Sequence, residues 1–185
     1  TTEIEHSKDI NSDGFKIKIN KGQIYELELA DSIINLKREK NATNVESLLR
    51  TNGKINFSQI KKLSSLLGIN TSDIKDFSGI VDLKTNINFD LNKRCRIENL
   101  NYFSEGKIPY FEMQTKKRKI IKKYLPEYDP KIILKDNKIK FSTSKSKYVT
   151  ELNGFIKVND FSDGFKIKTI YDKKNKNFNI NGMLE

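Results

Sequence analysis

The stretch VDLKTNINFDL, residues 81–91, decides the fold. Its odd positions are Val81, Leu83, Thr85, Ile87, Phe89 and Leu91; its even positions are Asp82, Lys84, Asn86, Asn88 and Asp90. Successive side chains of a strand point to opposite faces, so this alternation predicts a strand with one apolar and one wet face. The same pattern recurs in Phe15/Ile17/Ile19, Ile139/Phe141, Tyr148/Thr150/Leu152/Gly154/Ile156/Val158, Phe165/Ile167/Thr169/Tyr171 and Phe178/Ile180/Gly182/Leu184. Weaker strands are expected at 24–30, 32–38, 95–103, 107–115 and 131–135. Turn chemistry separates them at Asn20-Lys21-Gly22, Asp136-Asn137-Lys138, Asn159-Asp160 and 173–177. Short connections between alternating strands imply an antiparallel meander.

Helix signals are few. Ser58 is the expected N-cap of a helix carrying Ile60, Leu63, Leu66 and Leu67, closed by Gly68. Asn44 would cap a short helix through Val45, Leu48 and Leu49. Residues 116–125 hold Ile120, Ile121, Tyr124 and Leu125 at helical spacing and stop at Pro126. The heptapeptide SDGFKIK occurs twice, at 12–18 and 162–168, and predicts two equivalent strand entries in a repetitive sheet.

The chain has 185 residues, 36% hydrophobic, with a net charge of +11. Lys outnumbers Arg 30 to 5, the signature of an AT-rich coding sequence, so part of that charge is compositional. Nucleic acid is not an expected partner on charge alone, because specific readers favour Arg and stacking aromatics. One cysteine, Cys95, and one histidine, His6, exclude a disulfide framework, a cysteine-rich zinc site and most His- or Cys-based catalysis. Cys95 is expected as a small core residue. Carboxylate pairs such as Glu26/Glu28 and Asp82/Asp90 fall on wet faces, not in a cleft. No phosphate-binding glycine loop, calcium loop or catalytic triad can be assembled. No enzyme activity and no cofactor are expected. The chain opens Thr1-Thr2-Glu3 and is read as one β-rich segment, 1–185, excised from a longer protein.

Roughly ten strands, each with several apolar side chains on one face, cannot leave that face bare. Each buried Val, Leu, Ile or Phe gains about 1.5–3 kcal/mol over exposure. Three architectures cover such a face: a β-sandwich, a membrane barrel turned outward to lipid, or a strongly curved, taco-like antiparallel sheet with two or three short helices and an apolar filler in its groove. The barrel fits poorly, since the chain has no Trp for an interfacial girdle and its wet faces are crowded with Lys. The sandwich, serving as an adhesion or binding module without lipid cargo, is the main alternative.

The succession TNGKINFSQIKKLSSLLGI (51–69), FSGIVDLKTNINFDL (77–91), KIILKDNKIKFSTS (131–144), ELNGFIKVND (151–160) and FKIKTIYDKKNKNFNINGMLE (165–185) resembles the AsmA-like, TamB-type bridge-like lipid-transfer family of Gram-negative envelopes. The resemblance is better over 51–185 than over 1–50 and rests on patterns such as Leu-x-Gly-x-Ile-x-Val, with no catalytic signature. It implies a periplasmic segment of a parent anchored in the inner membrane, carrying phospholipid toward the outer membrane in an apolar β-groove. Tails would slide along non-directional contacts while headgroups stay at the wet seam. The groove-lining residues are then Val81, Leu83, Ile87, Phe89, Leu91, Ile139, Phe141, Leu152, Ile156, Phe165, Ile167, Phe178 and Ile180; in a sandwich they would be ordinary core. The basic run Lys116, Lys117, Arg118, Lys119, Lys122 and Lys123 would meet anionic headgroups or a membrane surface, its plain alternative being a solvated helix face. Flanking strands of the parent chain are expected to pair with the terminal strands, near 15–20 and 176–184.

Overall fold

The computed structural model describes residues 1–9, 12–59, 61, 74–116, 131–158 and 161–184. They form one antiparallel sheet of ten strands in sequence order: β1 (Thr2–Asp9), β2 (Ser12–Ile24), β3 (Leu27–Arg38), β4 (Ala42–Asn56), β5 (Ile74–Asn92), β6 (Ile97–Thr115), β7 (Lys131–Thr143), β8 (Lys147–Val158), β9 (Phe161–Asp172) and β10 (Asn177–Leu184). Each strand touches only its neighbours in sequence, and β1 does not meet β10. The sheet is open, neither a closed barrel nor two packed layers. The sandwich alternative is therefore overturned. The exposed area agrees: 13430 Å², against about 9,200 Å² for a compact monomer of this mass.

The ladder register shows why the strands alternate. Ile4, Ile17, Ile34, Ser47, Ile87, Tyr102, Thr143, Tyr148, Tyr171 and Phe178 lie side by side, one from each strand. Among the described residues the buried hydrophobics Leu29, Val45, Phe77, Val81, Ile108 and Phe165 all belong to this same face. On the other face Arg50, Lys84, Glu105, Lys140, Glu151 and Lys168 form a row of largely alternating charge.

Several expected turns are bulges inside long strands. Asn20-Lys21-Gly22 lies within β2, where the N–H groups of Asn20 and Lys21 both donate to the Thr1 carbonyl. The chain turns later, at Tyr25-Glu26. Asp31, at φ 46°, breaks the β3–β4 register, and Asn99, at φ 54°, breaks that of β5–β6. The breaks expected between 24–30 and 32–38, and between 95–103 and 107–115, join accordingly into β3 and β6. Pro109 stands at a further register shift, where the strand accommodates a residue without an N–H. Asp136-Asn137 bulges within β7 opposite Gly154. The fully buried Asn137 amide donates to the carbonyls of Lys135 (2.8 Å) and Phe155 (3.1 Å), two acceptors beside the bulge. Such insertions bend strands and sharpen their twist, which curves the sheet.

The helix expectations are corrected in part. Asn44, Val45, Leu48 and Leu49 belong to β4. The helix after β4 begins at Phe57 and is capped by Asn56, whose side-chain oxygen accepts from the Gln59 N–H at 3.1 Å while Gln59 Oε1 accepts from the Asn56 N–H at 3.2 Å. This reciprocal pair is a capping box with Asn in the lead, so Ser58 is not the cap. The rest of that helix, the expected helix at 116–125 beyond Lys116, and the Asn159-Asp160 turn lie outside the described residues. The first edge strand is β1, missed in the sequence; residues 15–19 are paired on both sides. Cys95 is exposed in the β5–β6 turn at φ 54°, not in the core.

Candidate functional site: the apolar face of an open sheet

All thirteen expected groove residues share one face. Leu29, Thr51, Leu83, Gly106, Ile139, Leu152, Ile167 and Gly182 form one row across β3 to β10. Ile87 and Phe178 lie in the ten-strand row above, and Phe141 and Ile180 in the row between, joined through Thr150 and Thr169. Phe89 pairs with Val45, Leu91 with Thr43, Val81 with Gly53, and Ile156 with Leu134. Phe165 opposes Gly154. The face is well covered at its centre, where Val81 is 3% exposed, and bare at the β10 edge, where Ile180 is 62% exposed.

Gly106 keeps the middle of this face narrow. At φ 157°, a Cβ there would stand 2.0 Å from the Asp82 carbonyl oxygen. Only glycine lets β5 and β6 approach so closely at this point.

An aromatic ladder runs along one side. Tyr102 stacks on Phe141 with ring centres 4.8 Å apart, Phe141 lies 6.4 Å from Tyr148, and Tyr148 stacks on Tyr171 at 6.1 Å. Register extends the ladder to Phe178 on β10. Burial, with Tyr148 nearby, pushes the Tyr102 hydroxyl up to about 12, so it stays protonated at any physiological pH. Lys173 Nζ sits 4.0 Å above the Tyr148 ring and donates to the Ser144 carbonyl at 2.7 Å, placing a cation over the β8 member of the ladder.

The wet face holds its carboxylates by direct pairs. Lys168 lies 2.7 Å from Glu151 and holds that carboxyl below its ordinary range by hydrogen bond and charge. Lys131 lies 2.9 Å from Glu112, which also accepts from the Tyr110 hydroxyl at 2.6 Å; both lower the Glu112 carboxyl. The sequence reading missed a thinner apolar stripe on this face. Ile33, Leu48, Phe103, Val149 and Ile170 share one row, interrupted by Asn86 and Ser142. Its signal in the sequence is the off-phase pair Ile33 and Leu48, which the helical spacing of Val45, Leu48 and Leu49 obscures.

Of the expected basic run, Lys116 is exposed at the end of β6; Lys117, Arg118, Lys119, Lys122 and Lys123 lie outside the described residues. Among the described residues no cluster of three metal-ligating side chains occurs, and no helix is long and apolar enough to cross a membrane. The chain matches no protein-family model, no curated protein and no solved structure.

Proposed function

We propose that this sheet is a lipid-conduit segment, a non-enzymatic module whose apolar face holds phospholipid tails. The observation that carries the proposal is a mostly apolar face, with a ten-strand row broken only by Ser47 and Thr143, on a sheet that is neither closed nor doubled. Tails fill such a face without directional contacts, and movement along it asks for no chemistry. The resemblance to the AsmA-like, TamB-type family supports the same reading. It supplies the proposed setting: periplasm, a parent anchored in the inner membrane, and delivery of phospholipid to the outer membrane. The ladders of β1 and β10 each lack one neighbour, so flanking strands of the parent would extend the groove at both ends.

The test uses two adjacent residues. Phe89 faces the apolar side and Asn88 the wet side, so Phe89→Asp and Asn88→Asp place the same charge on opposite faces. Lipid per chain, read by native mass spectrometry after mild extraction, should fall sharply for Phe89→Asp. Asn88→Asp should change neither lipid nor stability by more than about 0.5 kcal/mol. A parent chain free of lipid would overturn the conduit and leave a binding module without lipid cargo.

A further inference from the structure

Because the strands alternate in direction, the turns after β3, β5, β7 and β9 all fall on one lip of the sheet. These turns are Arg38 to Asn41, Asn92 to Arg96, Ser144 to Lys147 and Lys173 to Lys176. Together they hold ten cations and one carboxylate, Glu39. Counted the same way from the strand ends, the described residues of the opposite lip hold three cations, Lys61, Lys116 and Lys131, beside the carboxylate Glu26. Turns two strands apart are spaced by roughly 9–10 Å, close to the Debye length of about 8 Å at physiological salt, so their fields overlap.

Composition alone does not account for this lip. Only five arginines occur in the chain, and three of them, Arg38, Arg94 and Arg96, stand in two neighbouring turns. A hollow lies between these turns, lined by Asn41, Asn92, Lys93, Arg94 and Arg96. The guanidinium fork is suited to phosphate oxygens in a way an ammonium is not. Asn92 Oδ1 fixes the loop by accepting from the N–H groups of Arg94 (2.9 Å) and Arg96 (3.1 Å).

The nearby acids are already committed. Glu39 lies 3.5 Å from Lys37, and Glu98 accepts from the Asn92 amide at 2.6 Å. Asp90 accepts from Asn44 and Asn99, and Asp172 from the backbone of Lys174 and Asn175. Among the described residues none of Arg38, Lys40, Lys93, Arg94, Arg96, Lys174 or Lys176 forms an ion pair. The apolar face runs right up to this lip, where Ile97 is 51% and Phe178 58% exposed.

We infer that this lip is the headgroup track of the groove: its cations hold the phosphates of anionic phospholipids whose tails lie on the adjoining apolar face. This rests on the conduit reading, and it adds a substrate class and a side. A lipid seated here places its phosphate among the turn cations and its tails along Leu91, Phe89 and the aromatic ladder.

The experiment loads the full chain with equal amounts of phosphatidylglycerol and phosphatidylcholine and reads occupancy by native mass spectrometry. The parent should favour phosphatidylglycerol by about tenfold, one or two contacts at the strength of a basic residue beside an anionic bilayer. A lip variant carries Lys93→Gln, Arg94→Gln, Arg96→Gln, Lys174→Gln and Lys176→Gln. It should take up as much total lipid with the preference gone. A control losing the same charge from the wet face, by Lys84→Gln, Lys107→Gln, Lys138→Gln, Lys140→Gln and Lys166→Gln, should keep the preference. Thermal unfolding of both variants verifies that they fold. Lipid bound without headgroup preference, or a preference that survives in the lip variant or vanishes in the control, overturns the lip alone. No lipid of either kind overturns the conduit and the lip together. Inorganic phosphate added at constant ionic strength should not displace the phosphatidylglycerol; displacement would make the lip a free-phosphate site instead.

Discussion

The two copies of SDGFKIK enter β2 and β9, each the second strand from an edge, yet from opposite lips of the sheet. In both, Phe and Ile face the apolar side and the lysines face water. Burial nevertheless differs: Phe15 is 39% exposed and Phe165 only 7%. Phe15 is flanked by His6, whose ring stacks on it at 4.6 Å, and by Leu36. Phe165 is flanked by Leu184 and by Gly154, which presents no side chain to hold the ring off the sheet. Phe165 also lies well inside the sheet, because β6 and β7 extend beyond its row. Seven residues thus fix the strand and its phase, while ladder partners fix how much surface is lost. In a single-layer sheet, burial is a lateral property.

The largest test of that contrast is truncation. Phe165→Ala should cost about 3 kcal/mol, near the lower end for a buried aromatic, whereas Phe15→Ala should cost about 1 kcal/mol or less. Denaturant unfolding of the two variants measures the gap; equal losses would mean that the heptapeptide itself sets burial. Next come the glycines. A Cβ on Gly154 would stand 2.7 Å from both Cα and Cγ of Asn137, which the bulge holds in place, so Gly154→Ala should cost about 1–3 kcal/mol. A Cβ on Gly14 meets the Ser7 hydroxyl at 2.8 Å, a group that can rotate away. Gly14→Ala should therefore cost well under 1 kcal/mol on the same assay.

The smallest effect sharpens what the copies share. The last lysine of each pairs with a glutamate on a neighbouring strand: Lys18 with Glu5 at 2.5 Å, and Lys168 with Glu151 at 2.7 Å. Each lysine, through hydrogen bond and charge, holds its carboxyl below the ordinary value. A carboxyl lowered on folding adds stability above its unfolded pKa, and that stability is lost as pH falls through the folded value. The melting temperature of the parent should therefore drop more between pH 5 and pH 3 than that of a Glu5→Gln/Glu151→Gln variant. Identical acid profiles would show that neither pair contributes.

The sequence carried the strand faces almost completely, because a period of two is written directly into residues such as those of β5. It failed where a bulge and a turn call for the same chemistry. Asp136-Asn137 and Asn20-Lys21-Gly22 have the small polar residues and local kinks of a hairpin, but long-range pairing carries the strand through them. Val45, Leu48 and Leu49 show helical spacing because Leu48 serves the thin stripe on the second face while its two companions serve the first. The groove residues were legible one by one; their alignment into rows needed the register. The lip was not legible at all, since four turns spread from residue 38 to residue 176 meet on one side only through strand order.

The central claim is that one face of this sheet, and not the other, holds acyl chains. Phospholipid carrying a photoreactive group midway along a tail tests it directly, with cross-linked peptides mapped by mass spectrometry. The account predicts adducts at apolar-face positions such as Leu83, Ile87, Phe89, Ile139 and Phe141, with Lys84, Asn86, Asn88 and Lys140 left unlabelled. Labelling spread equally over both faces, or absent from both, would contradict it.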